Sequence, residues 1–340
     1  MSSIRPTADT GGEAGAPRVS AAAVRRSVTV LALVTLAALI PLLGPPVVLR
    51  GTGEAAAPGA GGIALLRAVL FGAVCVSAGE VFVTRLARGV PGAPWEDAPR
   101  AWAPAAAAAG FAAALGLASV VATGNLVPRG LSDMDIGGLY QSRDGALALL
   151  EVNAFVVLGL CALSKRPAAQ VWPLAAVALA EALRAHPTTE QSPLIGSGLT
   201  LVHVTCAVLW AGGLLQVLRT LVRWRDTAPG EGVALLGRYA RVAAVLLAVI
   251  TATGICSTLR RMPPGTVLDQ LTTTAYGRVL LAKVLLVAGV AVLALWARRR
   301  LRRAAEPLTA YSPARAEVVV LGLVVAVSAV LTAVPVPIRW

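Results

Sequence analysis

The chain alternates long apolar runs with short polar or Gly/Pro-rich segments. A helix needs about 20 mainly apolar residues to cross the hydrocarbon core of a bilayer. By that length, nine runs predict spanning helices, at 27–49, 62–84, 102–123, 145–164, 170–184, 198–218, 239–259, 277–297 and 316–334. The fifth is short and carries Pro173 and Glu181. The first follows Arg25-Arg26, as a secretory signal would. Its apolar stretch outlasts a signal core, and Pro45-Pro46 is not a small-residue cleavage site, so an uncleaved helix is expected. The predicted fold is all-α, a polytopic transmembrane bundle of about nine spans.

Three regions follow from the pattern. Residues 1–26 are rich in Ser, Thr, Gly, Pro and Ala without apolar periodicity, which predicts a disordered cytoplasmic tail. Residues 27–184 hold the first five helices, and 185–340 the last four with a histidine-bearing loop before them. The longest loops, 124–144 and 220–238, are too short for an independent core. No internal repeat argues for inverted halves.

Composition agrees with the runs. Apolar residues make up 57% of the 340 and charged residues only 14%, against roughly 25% charged in a soluble domain. Mean hydropathy is +0.75. So few charges could not cover a water-soluble fold of this length, which excludes a soluble enzyme, a disordered protein and a nucleic-acid binder. The partner that this surface requires is the lipid bilayer. G-x-S-x-G, P-loop and H-E-x-x-H motifs are all missing from the sequence, so no enzymatic activity is expected.

The net charge of +13 matters through its placement. With the N-terminus in the cytoplasm, the inner segments carry 19 Lys and Arg residues and the outer segments 7. A cytoplasmic N-terminus and an extracytoplasmic C-terminus follow, in a multi-pass protein of the cell membrane. The Arg298–Arg303 block reads as a topology determinant on the inner side.

Polar groups inside spans are costly and therefore candidates for function. They are Glu80, Glu151, Asn153, Glu181, His203 and Lys283, with Arg241 and Arg278 near helix ends. Glu151 and Lys283 both fall about two turns below the outer surface. That common depth predicts an ion pair between them, with Glu181–Lys283 as the other pairing of similar depth.

The run 198–218 is the most informative. His203, Cys206 and Trp210 share one helical face. Ala207, Ala211 and Gly212-Gly213 allow a neighbouring backbone to approach closely. His186 stands in the outer loop before this run, in Ala185-His186-Pro187, and Met134 and Met262 fall in outer loops. Both imidazoles and both non-initiator thioethers thus lie on one side, and such soft or borderline donors suit copper. Each also has an ordinary reading: a hydrogen-bonded histidine, Cys206 as a small apolar residue, and surface methionines. Cys75, Cys161, Cys206 and Cys256 all sit in apolar runs, which predicts neither a disulfide framework nor a zinc knuckle.

The stretch from His186 to Arg303 resembles the CopD family of copper-resistance membrane proteins. The pieces that carry the resemblance are His186, then Leu201-Val202-His203 with Leu209-Trp210-Ala211-Gly212-Gly213-Leu214. Arg238-Tyr239-Ala240-Arg241, Thr253-Gly254, and Thr274-Ala275-Tyr276-Gly277-Arg278 through Lys283 follow in order, before the basic run at Arg298. The resemblance implies copper uptake or translocation across a bacterial cytoplasmic membrane. His186 and His203 match the family's histidines and become the candidate copper ligands, with Cys206 or a methionine completing the site. Copper is then the metal bound and carried, and an extracytoplasmic copper chaperone is an expected partner. Two other classes compete: a redox membrane protein with a haem between the two histidines, and a metal-free assembly partner of a copper oxidase.

Overall fold

The computed structural model describes residues 21–55, 57–94, 97–124, 126–128, 130–164, 166–186, 192–303 and 311–335. The chain divides into two compact units, 1–36 and 37–340. The described part of the first is the opening stretch of helix α1 (Ala21–Leu49). Helix α1 therefore begins inside the stretch expected to be disordered, and residues 1–20 of that tail lie outside the described residues.

Ten further α-helices follow among the described residues, and no strand. They are α2 (Ala60–Arg88), α3 (Ala103–Ala122), α4 (Ile136–Gln141), α5 (Arg143–Leu163), α6 (Val171–Arg184), α7 (Pro193–Trp224), α8 (Pro229–Arg261), α9 (Val267–Thr273), α10 (Ala275–Arg303) and α11 (Tyr311–Leu331). Each of the nine expected runs coincides with one of the longer helices. Six of these, α2, α3, α5, α7, α8 and α10, are long and apolar enough to cross a membrane. Helices α1 and α11 contribute the shorter apolar stretches Thr35–Leu49 and Val319–Leu331, and α6 has 14 residues.

Local chemistry explains several boundaries. Asp135 and Ser142 cap α4 and α5, their side chains accepting from Gly138 N at 2.9 Å and Gly145 N at 3.1 Å. Helix α3 has no capping side chain of its own at Trp102. The Glu80 carboxylate of α2 takes that role from a distance, accepting from Trp102 N at 2.6 Å and Ala103 N at 3.2 Å. A carboxylate there also complements the positive end of the helix dipole.

Helix α2 packs against α3, α7 and α11, while α7 pairs with α8, α3 with α5, α5 with α6, and α10 with α11. Helices α2 and α7 approach closely. A Cβ at Gly79 would collide with the Gly212 carbonyl, and a Cβ at Gly212 with the Cys75 carbonyl. The small-residue stretch of α7 thus admits the α2 backbone, as expected. Many large apolar side chains point outward, among them Leu160 (65% exposed), Leu285 (64%) and Val292 (65%). Such a surface is unfavourable in water and suited to lipid.

Successive long helices run in alternate directions, and hydrogen bonds tie their ends together. At one end Arg143 Nη2 donates to Leu183 O at 2.7 Å, and Glu54 accepts from Ala275 N at 3.2 Å. Arg278 Nη1 donates to Arg50 O at 2.6 Å beside them. At the other end Trp224 Nε1 donates to Asp97 O at 3.2 Å, and Arg223 pairs with Asp97 at 3.2 Å. His186 marks the first end and Arg85 the second.

Candidate functional site

The two histidines are anchored on the same stretch of α7. His186 closes α6, is buried, and places Nε2 2.9 Å from Thr200 Oγ1. Its ring lies over Gly196, where a Cβ would sit 2.5 Å from Nδ1, so the missing side chain makes room for the imidazole. His203 stands on α7 three residues after Thr200, with Nδ1 3.0 Å from Thr253 Oγ1 of α8. Residues three apart share a helical face with a rise of about 4.5 Å. The His186 ring thus meets α7 at Gly196 and Thr200, and His203 follows on the same helix.

The Thr253 hydroxyl is coupled to the tautomer of His203. It has one proton, with Val249 O at 2.7 Å and Ile250 O at 3.1 Å as backbone acceptors. With the proton on the backbone the hydroxyl oxygen accepts from Nδ1–H and the lone pair is on Nε2, whereas a proton turned to His203 gives the other tautomer. A second residue that fixes the tautomer in the first way is what a ligating imidazole requires.

The segment bearing His186 is clamped by arginines that the sequence reading did not single out. Arg143 Nη2 reaches His186 O at 3.3 Å as well as Leu183 O. Arg261 Nη2 donates to Ala185 O at 3.4 Å, and Arg260 Nη2 to Ser192 O at 3.2 Å, on the far side of residues 187–191. The Arg261 guanidinium also lies over the Tyr276 ring, 5.7 Å from its centroid. Pro187 and Glu190 lie outside the described residues.

Cys206 is partly buried and packs against the apolar cluster around Trp210, Leu214 and Tyr239. Met262 is fully buried with Leu49, Tyr276 and Val279 in a separate cluster at the His186 end. It is thus a core residue and not the surface methionine its loop position suggests. Met134 is partly exposed. Among the described residues no three His, Cys, Asp or Glu side chains gather as a metal-binding group. His186 and His203 each meet a threonine hydroxyl, Thr200 and Thr253 in turn.

The expected Glu151–Lys283 pair does not form. Glu151 is completely buried on α5, and Arg184 Nη1 of α6 lies 3.0 Å from both its oxygens, with hydrogen-bond geometry to Oε2. The same nitrogen donates to Glu181 Oε1 at 3.1 Å, and Arg67 Nη1 of α2 donates to Glu181 Oε2 at 3.0 Å. Two acidic and two guanidinium side chains thus form one network joining α2, α5 and α6. Glu181–Lys283 is corrected with it. Lys283, on α10, lies within electrostatic range of His203 instead. Glu80 belongs to another cluster, at the Arg85 end, where Arg219 Nη1 pairs with it at 3.1 Å and the Arg219 guanidinium stacks 3.6 Å above the Trp102 ring.

The C-terminal part of the bundle carries a family likeness. Residues 233–331 match the CopD family, copper resistance protein D. No curated protein and no solved structure matches the chain. The CopD segment covers under a third of the chain and takes in most of α8 with α9, α10 and α11. Thr253, Arg260, Arg261 and Lys283 lie within it, whereas His186, His203 and Cys206 precede it. The CopD match and the six apolar helices together support a multi-pass membrane protein related to copper resistance.

Proposed function

We propose that the protein takes up copper from the extracytoplasmic side and passes it through the helix bundle, with His186 as the capture residue and His203 as the ligand inside the span. Copper is the cargo. The observation that carries the reading is the contact between His203 and Thr253, which ties the histidine of α7 to a residue of the CopD segment. The His186–Thr200 contact ties the second imidazole to the same helix, which supports the reading. Two nitrogen donors suit copper(I), and Cys206, one turn further along the same face, is the next donor on the way inward. The nine-span topology expected from the arginine distribution puts the histidines on the outer side, which supports uptake as the reading.

Metal analysis of the purified protein beside a cellular copper-accumulation assay tests this. At matched expression His203→Ala should abolish accumulation, and His203→Met, which supplies a thioether, should keep part of it. His186→Ala should weaken accumulation mainly at low external copper. Full accumulation by a normally expressed His186→Ala/His203→Ala double variant would leave the metal-free reading, with both imidazoles serving only their threonine hydrogen bonds.

A further inference from the structure

The Arg85 end of the bundle contains a cavity of about 260 Å³ that the copper reading does not use. It lies between the last turns of α2 and α7, the loop before α3, and the short 3₁₀ turn Pro167–Gln170 that precedes α6. Its walls are mostly apolar, with Val83, Ala87, Ala162 and Trp224 among them. Its polar groups are unevenly distributed. Glu80, the one acidic side chain on the described wall, is already neutralised by Arg219 and occupied by two backbone N–H donors. Arg85 and Arg88, both exposed in the last turn of α2, have no ion pair among the described residues. The described wall therefore carries a net positive charge.

Gln170 supplies the second, independent feature. It is 4% exposed, lines the cavity, and its amide oxygen has no hydrogen-bond partner. A buried acceptor without a partner costs free energy that a bound donor would recover. The end of an apolar helix of spanning length, where Arg85 and Arg88 stand, is also where lipid headgroups meet the protein. A ligand matched to all of this is anionic, carries a hydroxyl donor next to the charge, and has an apolar body.

We propose that this cavity binds the headgroup of an anionic phospholipid, its phosphate on Arg85 and Arg88 and a headgroup hydroxyl on the Gln170 amide oxygen. Phosphatidylglycerol has that chemistry. Phosphatidylcholine has the phosphate but neither net charge nor a donor. The site is independent of copper and lies on the other end of the bundle from His186.

The test is native mass spectrometry of the full-length protein in detergent, titrated with dioleoyl-phosphatidylglycerol. One tightly held lipid per chain is expected, with phosphatidylcholine bound at least about tenfold more weakly. Arg85→Ala/Arg88→Ala, on the exposed rim where folding is not at stake, should lose at least about tenfold in affinity. Gln170→Glu, which sets a carboxylate against the phosphate, should lose binding as well, and Arg225→Ala, an exposed charge at the same end but off the cavity wall, should not. Wild-type retention of the lipid by the double variant would overturn the proposal. So would an equal loss in Arg225→Ala, which would reduce the effect to general surface charge. Displacement of the lipid by an equal concentration of soluble glycerophosphoglycerol would overturn the lipid as the source and assign the cavity to a free phosphodiester.

Discussion

Arg184 holds the completely buried carboxylate of Glu151 from the next helix, with Nη1 3.0 Å from both of its oxygens. Glu181 competes for the same nitrogen but has Arg67 as a second partner. Removing Arg184 therefore takes the cation from Glu151 while Glu181 keeps Arg67. Arg184→Met should destabilise the bundle by about 1–3 kcal/mol, because a buried carboxyl loses its hydrogen-bond donor. The double variant Arg184→Met/Glu151→Leu should recover most of that loss. Thermal unfolding in detergent provides the measurement. Glu151→Gln and Lys283→Met should by contrast act additively, since these residues belong to separate clusters.

The α2–α7 crossing leaves no room for a side chain at Gly212, whose Cβ would meet backbone and not a flexible chain end. Gly212→Ala should cost about 1–3 kcal/mol, the usual range for overpacking a contact that cannot relax. Gly198→Ala on the same helix, where nothing lies within 4 Å, is the matched control and should be neutral or slightly stabilising. Folded yield and unfolding temperature of the two variants separate the effects.

These contacts also mark how far the sequence alone could be read. The helices were legible because an apolar run of spanning length has few other structures available to it, and each expected run holds a helix. The role of Gly212-Gly213 was legible for a similar reason, since small residues on a lipid-adapted helix have one common use. The partner of Glu151 was not. Position along a helix gives depth, but the neighbour at that depth depends on lateral packing, and α5 packs on α6. The arginines that clamp the His186 segment were counted only as topology charges, although their guanidinium groups also satisfy carbonyls at helix ends. An Arg/Glu pattern recurring at matched depth in α2, α5 and α6 was the available signal for the Arg67–Glu181–Arg184–Glu151 network.

Helix direction can be tested without reference to copper. Ser192 stands at the His186 end, and Arg225 follows α7 at the other. In a background with Cys75, Cys161, Cys206 and Cys256 replaced by alanine, Ser192→Cys should react with an impermeant maleimide added outside intact cells. Arg225→Cys should react only after the membrane is opened. The reverse pattern would invert the orientation drawn from the 19-to-7 distribution of Lys and Arg.

Thr253 offers the sharpest separation of a copper-binding histidine from a structural one. Its hydroxyl oxygen lies 3.0 Å from His203 Nδ1 and 2.7 Å from Val249 O, and with its proton on that carbonyl it holds the ring in the tautomer that presents Nε2. Thr253→Val keeps the shape of the side chain and removes the hydroxyl, and with it both the contact to His203 and the bond to the α8 backbone. If His203 binds copper, the external copper needed for half-maximal accumulation should rise by about 10–100-fold, the usual loss when the residue orienting a metal-bound imidazole is removed. The maximal rate and the amount of protein in the membrane should change little, and Thr253→Ser, which restores the hydroxyl, should return the response towards wild type. A histidine that only bridges α7 and α8 predicts a different outcome. Thr253→Val would then lower the unfolding temperature, by the roughly 0.5–1.5 kcal/mol of one hydrogen bond, and leave the copper response per folded molecule unchanged.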